Sequence, residues 1–195
     1  MAPIDTGRIE AAVAEILSAI GEDPTRAGLS ATPQRVAQAY TEFFGGLGTD
    51  PLVHLADSAE FVPGDHGTGE LVMMRGIEFR SVCEHHLLPF VGMAHVAYVP
   101  NRRVVGLGRI PRVVETLASR PQLQERLTEE IADAFVAGLD PVGVLVVIDA
   151  VHGCVSARGV RQAKSSTVTL ASRGSLSEPA MRAAVVALIG RGSDD

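Results

Sequence analysis

The chain has 195 residues, the length of one domain with room for a helical appendage. Hydrophobic residues make up 46% and charged residues 21%, which provides for a core and excludes a disordered chain. The net charge is −6 with no basic tract, which excludes general nucleic-acid binding; any anion-binding arginines must be gathered locally.

Taken in chain order, Met1-Ala2-Pro3-Ile4-Asp5 has neither the basic start nor the apolar stretch of a signal peptide. No apolar run further on reaches membrane-spanning length, so a cytoplasmic protein with no membrane partner is expected. Residues 8–20 carry Ile9, Val13, Ile16, Leu17 and Ile20 at helical spacing, and Gly21 ends the pattern. Thr32-Pro33 predicts a second helix, with Thr32 as N-cap and Pro33 in the first turn, where its missing N–H costs nothing. Val36, Tyr40 and Phe44 then recur every four residues up to Gly45-Gly46. Residues 47–68 read as a loop rich in Gly, Asp and Pro. The predicted organisation is therefore a helical arm and loop over 1–68, followed by the main domain over 69–195.

Within the main domain, residues 71–79, 94–99 and 104–107 read as strands. Helices are predicted over 110–118 and 122–139; in the second, Leu123, Leu127, Ile131, Phe135 and Leu139 form one apolar line. Residues 144–151 are β-branched and suit a buried strand, 165–171 alternate like a strand, and 178–189 form a last amphipathic helix. No internal repeat or low-complexity tract interrupts the chain. The fold class is α+β: a mostly antiparallel sheet with helices on one side.

The chain has two cysteines, Cys83 and Cys154, and each stands beside histidines. A disulfide is not expected in a reducing compartment, so the pairing points to metal. In Cys83-Glu84-His85-His86, Cys83 and His86 are three apart, so one tight bend can aim both at a single ion. Thiolate and imidazole are good zinc ligands. The second half is His152-Gly153-Cys154; if extended, positions two apart share a face. These five groups exceed what a catalytic zinc needs, namely three ligands and an open position. The residues leave other arrangements open. One is a closed four-ligand site that staples the sheet, another a metal-free core of small apolar Cys and hydrogen-bonded His.

A second constellation is cationic. Arg109 and Arg112 open a predicted helix, Arg158 and Arg161 follow Cys154, and Arg35 sits in the first turn of the second helix. Arginine offers planar, multiply donating recognition of phosphate, and a helix N-terminus adds a favourable field, although a single Arg is ordinarily a solvated surface residue. A third element is Gln124-Glu125 at the start of the long helix. A Glu there ordinarily complements the helix dipole; it could equally accept paired N–H bonds from a guanine edge.

These motifs resemble the GTP cyclohydrolase I family. The resemblance is carried by Ser81-Val82-Cys83-Glu84-His85-His86-Leu87, by 120–128 (Arg-Pro-Gln-Leu-Gln-Glu-Arg-Leu-Thr), and by 148–154 (Ile-Asp-Ala-Val-His-Gly-Cys) continuing through Ala157-Arg158-Gly159-Val160. Thr32-Pro33-Gln34-Arg35-Val36 and Gly21-Glu22-Asp23-Pro24 are similar to its N-terminal region. The resemblance implies a tunnelling fold preceded by the helical arm, and a decameric homo-oligomer with active sites at subunit boundaries. The implied reaction takes GTP and water to formate and 7,8-dihydroneopterin triphosphate, the entry step to folates and related pterins. It implies Cys83, His86 and Cys154 as Zn2+ ligands and His85 and His152 as proton-transfer groups. Glu125 with Gln124 would hold the guanine, and Arg35, Arg109, Arg112 and Arg158 the triphosphate. The chain departs from the family pattern in three places: Gly108 lacks the usual hydroxyl, Arg109 stands where Lys is common, and Gln38 replaces a frequent basic residue. Two other readings differ in function. One is a relative acting on another purine nucleotide or serving 7-deazaguanine synthesis. The other is a catalytically silent, zinc-stabilised oligomer, which would not need His85 and His152 together.

Overall fold

The computed structural model describes residues 3–60 and 70–190. Two helices form the N-terminal arm, α1 (Thr6–Ala19) and α2 (Thr32–Phe43). Asp5 caps α1 by accepting the Arg8 N–H at 3.0 Å, which satisfies one of the donors a helix start leaves open. Thr32 is not the N-cap of α2. A tight turn, with the Thr32 N–H on Leu29 O at 2.8 Å, runs straight into the helix, so Ala31 takes the cap position with no side-chain bond. None of the α1 side chains is buried, and Ile16 and Ile20 are 58% and 69% exposed, while Ile9, Val13 and Leu17 are half-buried where α1 packs against α2.

The expected loop over 47–68 is more structured than its composition suggests. Asp50 caps a 3-10 turn at Pro51–His54, Leu55 is fully buried in the main core, and β1 (Ser58–Glu60) forms a strand. Residues 61–68 of that loop lie outside the described residues. β1 pairs antiparallel with β4 (Arg103–Val105) in a small separate sheet, so the strand expected at 104–107 does not join the main one.

The main sheet has five strands in the order β5-β2-β3-β6-β7. They are β5 (Pro121–Gln122), β2 (Val72–Cys83), β3 (Pro89–Val99), β6 (Gly143–His152) and β7 (Thr167–Gly174). All neighbours are antiparallel except β2 and β5, whose two-residue parallel pairing sets Cys83 opposite Gln122. The strands over 71–79 and 94–99 are longer than the sequence indicates. β2 continues to Cys83 and β3 begins at Pro89, and this lengthening carries the sheet into the Cys-Glu-His-His motif.

Helices α3 (Arg109–Ala118) and α4 (Gln124–Leu139) lie on one face. Val144, Val146, Ile148 and Ala150 of β6 face them, in a core with Ile110, Val113, Leu117, Leu127, Ile131 and Phe135. The alternate residues Leu145 and Val147 face the reverse side, where α6 (Pro179–Gly190) covers them through Val185. A strand buried on both faces must be apolar at every position, which explains the unbroken run in β6. This is the tunnelling fold: an α+β sheet with its two long helices on one face, preceded by a helical arm. No helix among the described residues is long and apolar enough to cross a membrane.

Candidate metal centre and active site

The motifs meet at one end of the sheet. β2 ends at Cys83 and the chain turns at once into β3. Cys83 O accepts the N–H groups of His86 (3.4 Å) and Leu87 (2.9 Å), and Leu88 O accepts the Cys83 N–H at 2.9 Å. This curl turns residues three apart toward one side. Leu87 takes a left-handed conformation to close it, with φ of 51°, an arrangement that costs a side-chain-bearing residue roughly 1–2 kcal/mol. Glu84 in the same turn pairs with Arg126 of α4. Arg126 Nε also donates to Gln122 Oε1 at 3.1 Å, so the turn is clamped to the start of the long helix.

β6 delivers the second half. Its last residue is His152, and the helical turn α5 (Gly153–Ser156) begins immediately after it. The His-Gly-Cys segment is therefore not extended, and His152 and Cys154 do not share a strand face. A side chain on Gly153 would place its Cβ 2.8 Å from Pro89 O, so glycine is what lets α5 press against the start of β3. The helical turn swings the Cys154 thiol to Cys83 and His86. Ligand atoms of these three residues lie within 4.8 Å of one another, a group able to hold a metal ion. Burial, and next the adjacent Cys83 thiol, push the Cys154 thiol above its ordinary pKa. Two neighbouring sulfurs resist ionising together, and a divalent cation between them removes that conflict, so the donor set fits a thiophilic ion.

The other two histidines lie outside this group. His85 is exposed, its ring edge-on to His86 with centroids 6.2 Å apart. His152 stacks on buried Phe90 with centroids 4.6 Å apart and planes within 4°. Burial lowers the His152 pKa, and the field of Glu125 opposes the shift. A half-buried ring held neutral near a carboxylate is equipped to exchange a proton.

Gln124 and Glu125, the first residues of α4, differ in placement. Glu125 is exposed at the helix start, close enough to act on His152. Gln124 is 1% exposed, and its side chain is occupied: Oε1 meets His152 Nε2 at 2.6 Å. Its amide nitrogen faces Ile148 O, Thr167 O and Thr169 Oγ1. The packing of β7 across α4, which buries this residue, cannot be read from local sequence.

The arginines separate into three places. Arg158 reaches the metal group, its Nη1 3.0 Å from His86 Nε2. Arg109 and Arg112 start α3 at a recess of about 300 Å³ lined by Gly106, Leu107 and Gly108, with Arg109 paired to Asp57 at 3.0 Å. Arg35 is exposed on α2, with no ion pair among the described residues. Gln38 donates to Thr41 Oγ1 at 3.3 Å on the same arm. The C-terminal end of α3 abuts the metal end of β2, where Ser81 Oγ donates to Ala118 O at 2.7 Å. The helix has ten residues, so Arg109 is set back by about 15 Å along its axis. The recess lined by Arg109 and Arg112 includes none of Cys83, His86 and Cys154.

Sequence reading missed Thr128, Phe90, Asp57 and the Arg126–Glu84 clamp. Only Thr128 had a local signal, because it lies one helical turn after Gln124 and its hydroxyl donates to Gln124 O at 2.7 Å. The others depend on strand register or on loops whose position the sequence does not encode locally.

Comparison with known proteins agrees with this arrangement. The family model described as GTP cyclohydrolase I matches residues 9–190. The chain is 63% identical to GTP cyclohydrolase 1 of Leifsonia xyli subsp. xyli (strain CTCB07), over 99% of this chain and 100% of that one. It is 52% identical to GTP cyclohydrolase 1 of Carboxydothermus hydrogenoformans, over 97% of each chain. With GTP cyclohydrolase 1 of Bacillus subtilis (strain 168) the identity is 49%, over 95% of this chain and 96% of that one. A match spanning nearly the whole chain, with the Cys-His motifs gathered at one end of a tunnelling fold, establishes that this chain belongs to the GTP cyclohydrolase I family of hydrolases.

Proposed function

We propose that the chain hydrolyses GTP to formate and 7,8-dihydroneopterin triphosphate at a zinc centre held by Cys83, His86 and Cys154. The observation that carries this reading is the convergence of those three ligand atoms within 4.8 Å, beside His152 stacked on Phe90. Three protein ligands leave the coordination position a catalytic zinc requires. Bound zinc supplies a Lewis acid that brings the pKa of water to ~7. The chain's own residues do the rest. His152 and His85 move protons as the C8–N9 bond of the purine opens and the resulting formamide is hydrolysed, releasing C8 as formate. Glu125, exposed at the start of α4, accepts the two N–H groups of the guanine edge and so selects the base. Arg158 stands beside the metal group, where it receives the substrate's negative charge.

Arg109 and Arg112 line a recess of their own at the start of α3, and Arg35 stands exposed on α2. We assign them to the triphosphate of a substrate bound at a neighbouring subunit's metal centre, in a homo-oligomer whose sites lie at subunit boundaries; a decamer is the assembly the family resemblance implies. Ile16 and Ile20, the exposed apolar residues of α1, support association. Two adjacent reduced cysteines support a reducing, cytoplasmic setting.

The test is a metal-replete incubation with GTP, following formate release and pterin fluorescence, with metal content measured on the same sample. One zinc per chain and both products are expected, with Cys83→Ala or Cys154→Ala losing metal and turnover together. Active protein without metal would overturn the reading, as would a closed four-ligand site.

A further inference from the structure

The amide of Gln124 has a fixed orientation, and that orientation has a chemical consequence at His152. Nε2 of Gln124 lies 3.2 Å from Ile148 O, 2.8 Å from Thr167 O and 3.1 Å from Thr169 Oγ1. Two of these three are backbone carbonyls, which only accept. Turning the amide over would set its oxygen against both, so one orientation is allowed. The hydroxyls close the circuit. Thr128 Oγ1 donates to Gln124 O at 2.7 Å, so in its 2.6 Å contact with Thr169 Oγ1 it accepts. Thr169 therefore gives its proton to Thr128 and keeps a lone pair for the Gln124 amide. With every direction around the loop settled, Gln124 Oε1 is left facing His152 Nε2 at 2.6 Å, and Oε1 can only accept.

We propose that Gln124 is a positioning residue that holds the His152 ring in one orientation with hydrogen on Nε2, leaving Nδ1 as the ring nitrogen that Gln124 does not engage. The inference deepens the proposed function and rests on its reading of His152 as a proton-transfer group. The stack on Phe90 fixes the ring plane, and the Gln124 bond fixes rotation within that plane. The Ile148 and Thr167 carbonyls set the tautomer from a distance, through Gln124, and the Thr169–Thr128 pair is consistent with it.

The direct test is solid-state NMR on the zinc-loaded enzyme with 15N-labelled histidine, assigning His152 by difference from His152→Asn. Expected is a protonated Nε2 and, in the neutral ring, a lone pair on Nδ1; the opposite tautomer would overturn the proposal. The kinetic test uses two variants. Gln124→Met removes the acceptor and should lower kcat ~10²-fold, within the range of a misplaced acid–base group, with KM within about twofold and zinc retained. Thr169→Val leaves Gln124 and both carbonyl acceptors in place and removes only one of three amide partners, so kcat should fall far less than in Gln124→Met, by no more than roughly threefold. A rise in KM at constant kcat in Gln124→Met would return Gln124 to base binding and refute the proposal. If His152→Ala turned over normally, the proton-transfer reading would fail by itself, while the tautomer measurement would still decide whether Gln124 orients the ring.

Discussion

If the arginines of α3 serve a neighbour's metal centre, two inactive variants should repair each other. One variant is Cys83→Ala, which removes a metal ligand and leaves Arg109 and Arg112 intact. The other carries Arg109→Ala and Arg112→Ala and keeps the Cys83, His86, Cys154 group. The structure dictates the arithmetic. Arg109 opens α3, about 15 Å along the helix from the end that meets β2, and the recess it lines with Arg112 holds no metal-group residue, so we assign the two halves to different chains. In an oligomer mixed at random from equal amounts, a site is intact when its metal half comes from the arginine variant and its arginine half from the cysteine variant. About one quarter of all sites then have wild-type composition. Co-expression with two different tags, tandem purification and a formate assay at low GTP should return about one quarter of wild-type activity from parents that each have almost none. The low substrate level matters because phosphate contacts remote from C8 act mostly as uniform binding and appear in KM. Mixed assemblies no more active than the parents, with both tags present and zinc bound to half the chains, would refute the shared site. The arginines would then serve the metal centre of their own chain.

Three further outcomes test the remaining assignments. His85→Ala and His152→Ala should keep zinc and the fold while turnover falls ~10²–10⁴-fold; loss of zinc from His85→Ala as complete as from His86→Ala would exchange the roles of the two histidines. Glu125→Gln should weaken GTP binding by ~1–3 kcal/mol, because an amide offers one mismatched donor to the guanine edge; unchanged binding by calorimetry would return Glu125 to a dipole-complementing role. His95, whose Nδ1 accepts the Gly76 N–H at 3.2 Å, has its pKa lowered by burial and then by Arg75, against the pull of Asp149. The folded state therefore disfavours the charged ring, so its stabilising contribution is present above the unfolded value of 6.5 and is lost as pH falls below it. His95→Gln should flatten the decline of Tm between about pH 7 and pH 5, and equal slopes in the two proteins would contradict the assignment.

Several features were legible before any coordinates because they are local. The apolar line Leu127, Ile131, Phe135, Leu139 repeats at helical spacing and is buried as a unit in α4. The apolar run in β6 matches a strand covered on both faces. Cys83 and His86 are three residues apart, so a single turn could bring them together, and it does. Boundaries were less legible. β2 and β3 extend into the motif through pairing of Ser81 with Phe90 and Val82 with Pro89, a register the motif residues do not announce.

Sequence by itself determined the inventory: two Cys–His clusters, a carboxylate at a helix start, scattered arginines and the family pattern that orders them. Those properties depend on residue type and spacing, which a linear chain states directly. Tertiary structure alone decided how the inventory is divided. The extended reading of His152-Gly153-Cys154 would have aimed both side chains at one point. Instead the strand ends at His152 and α5 begins, so Cys154 turns to the metal group and His152 to Gln124. Gln124 reads as a base-binding amide until β7 crosses α4 and surrounds it with Ile148 O, Thr167 O and Thr169 Oγ1. Those acceptors lie 24 to 45 residues away along the chain. A hydrogen bond needs its partner within about 3.5 Å, and only the register of a folded sheet brings residues so distant in sequence that close.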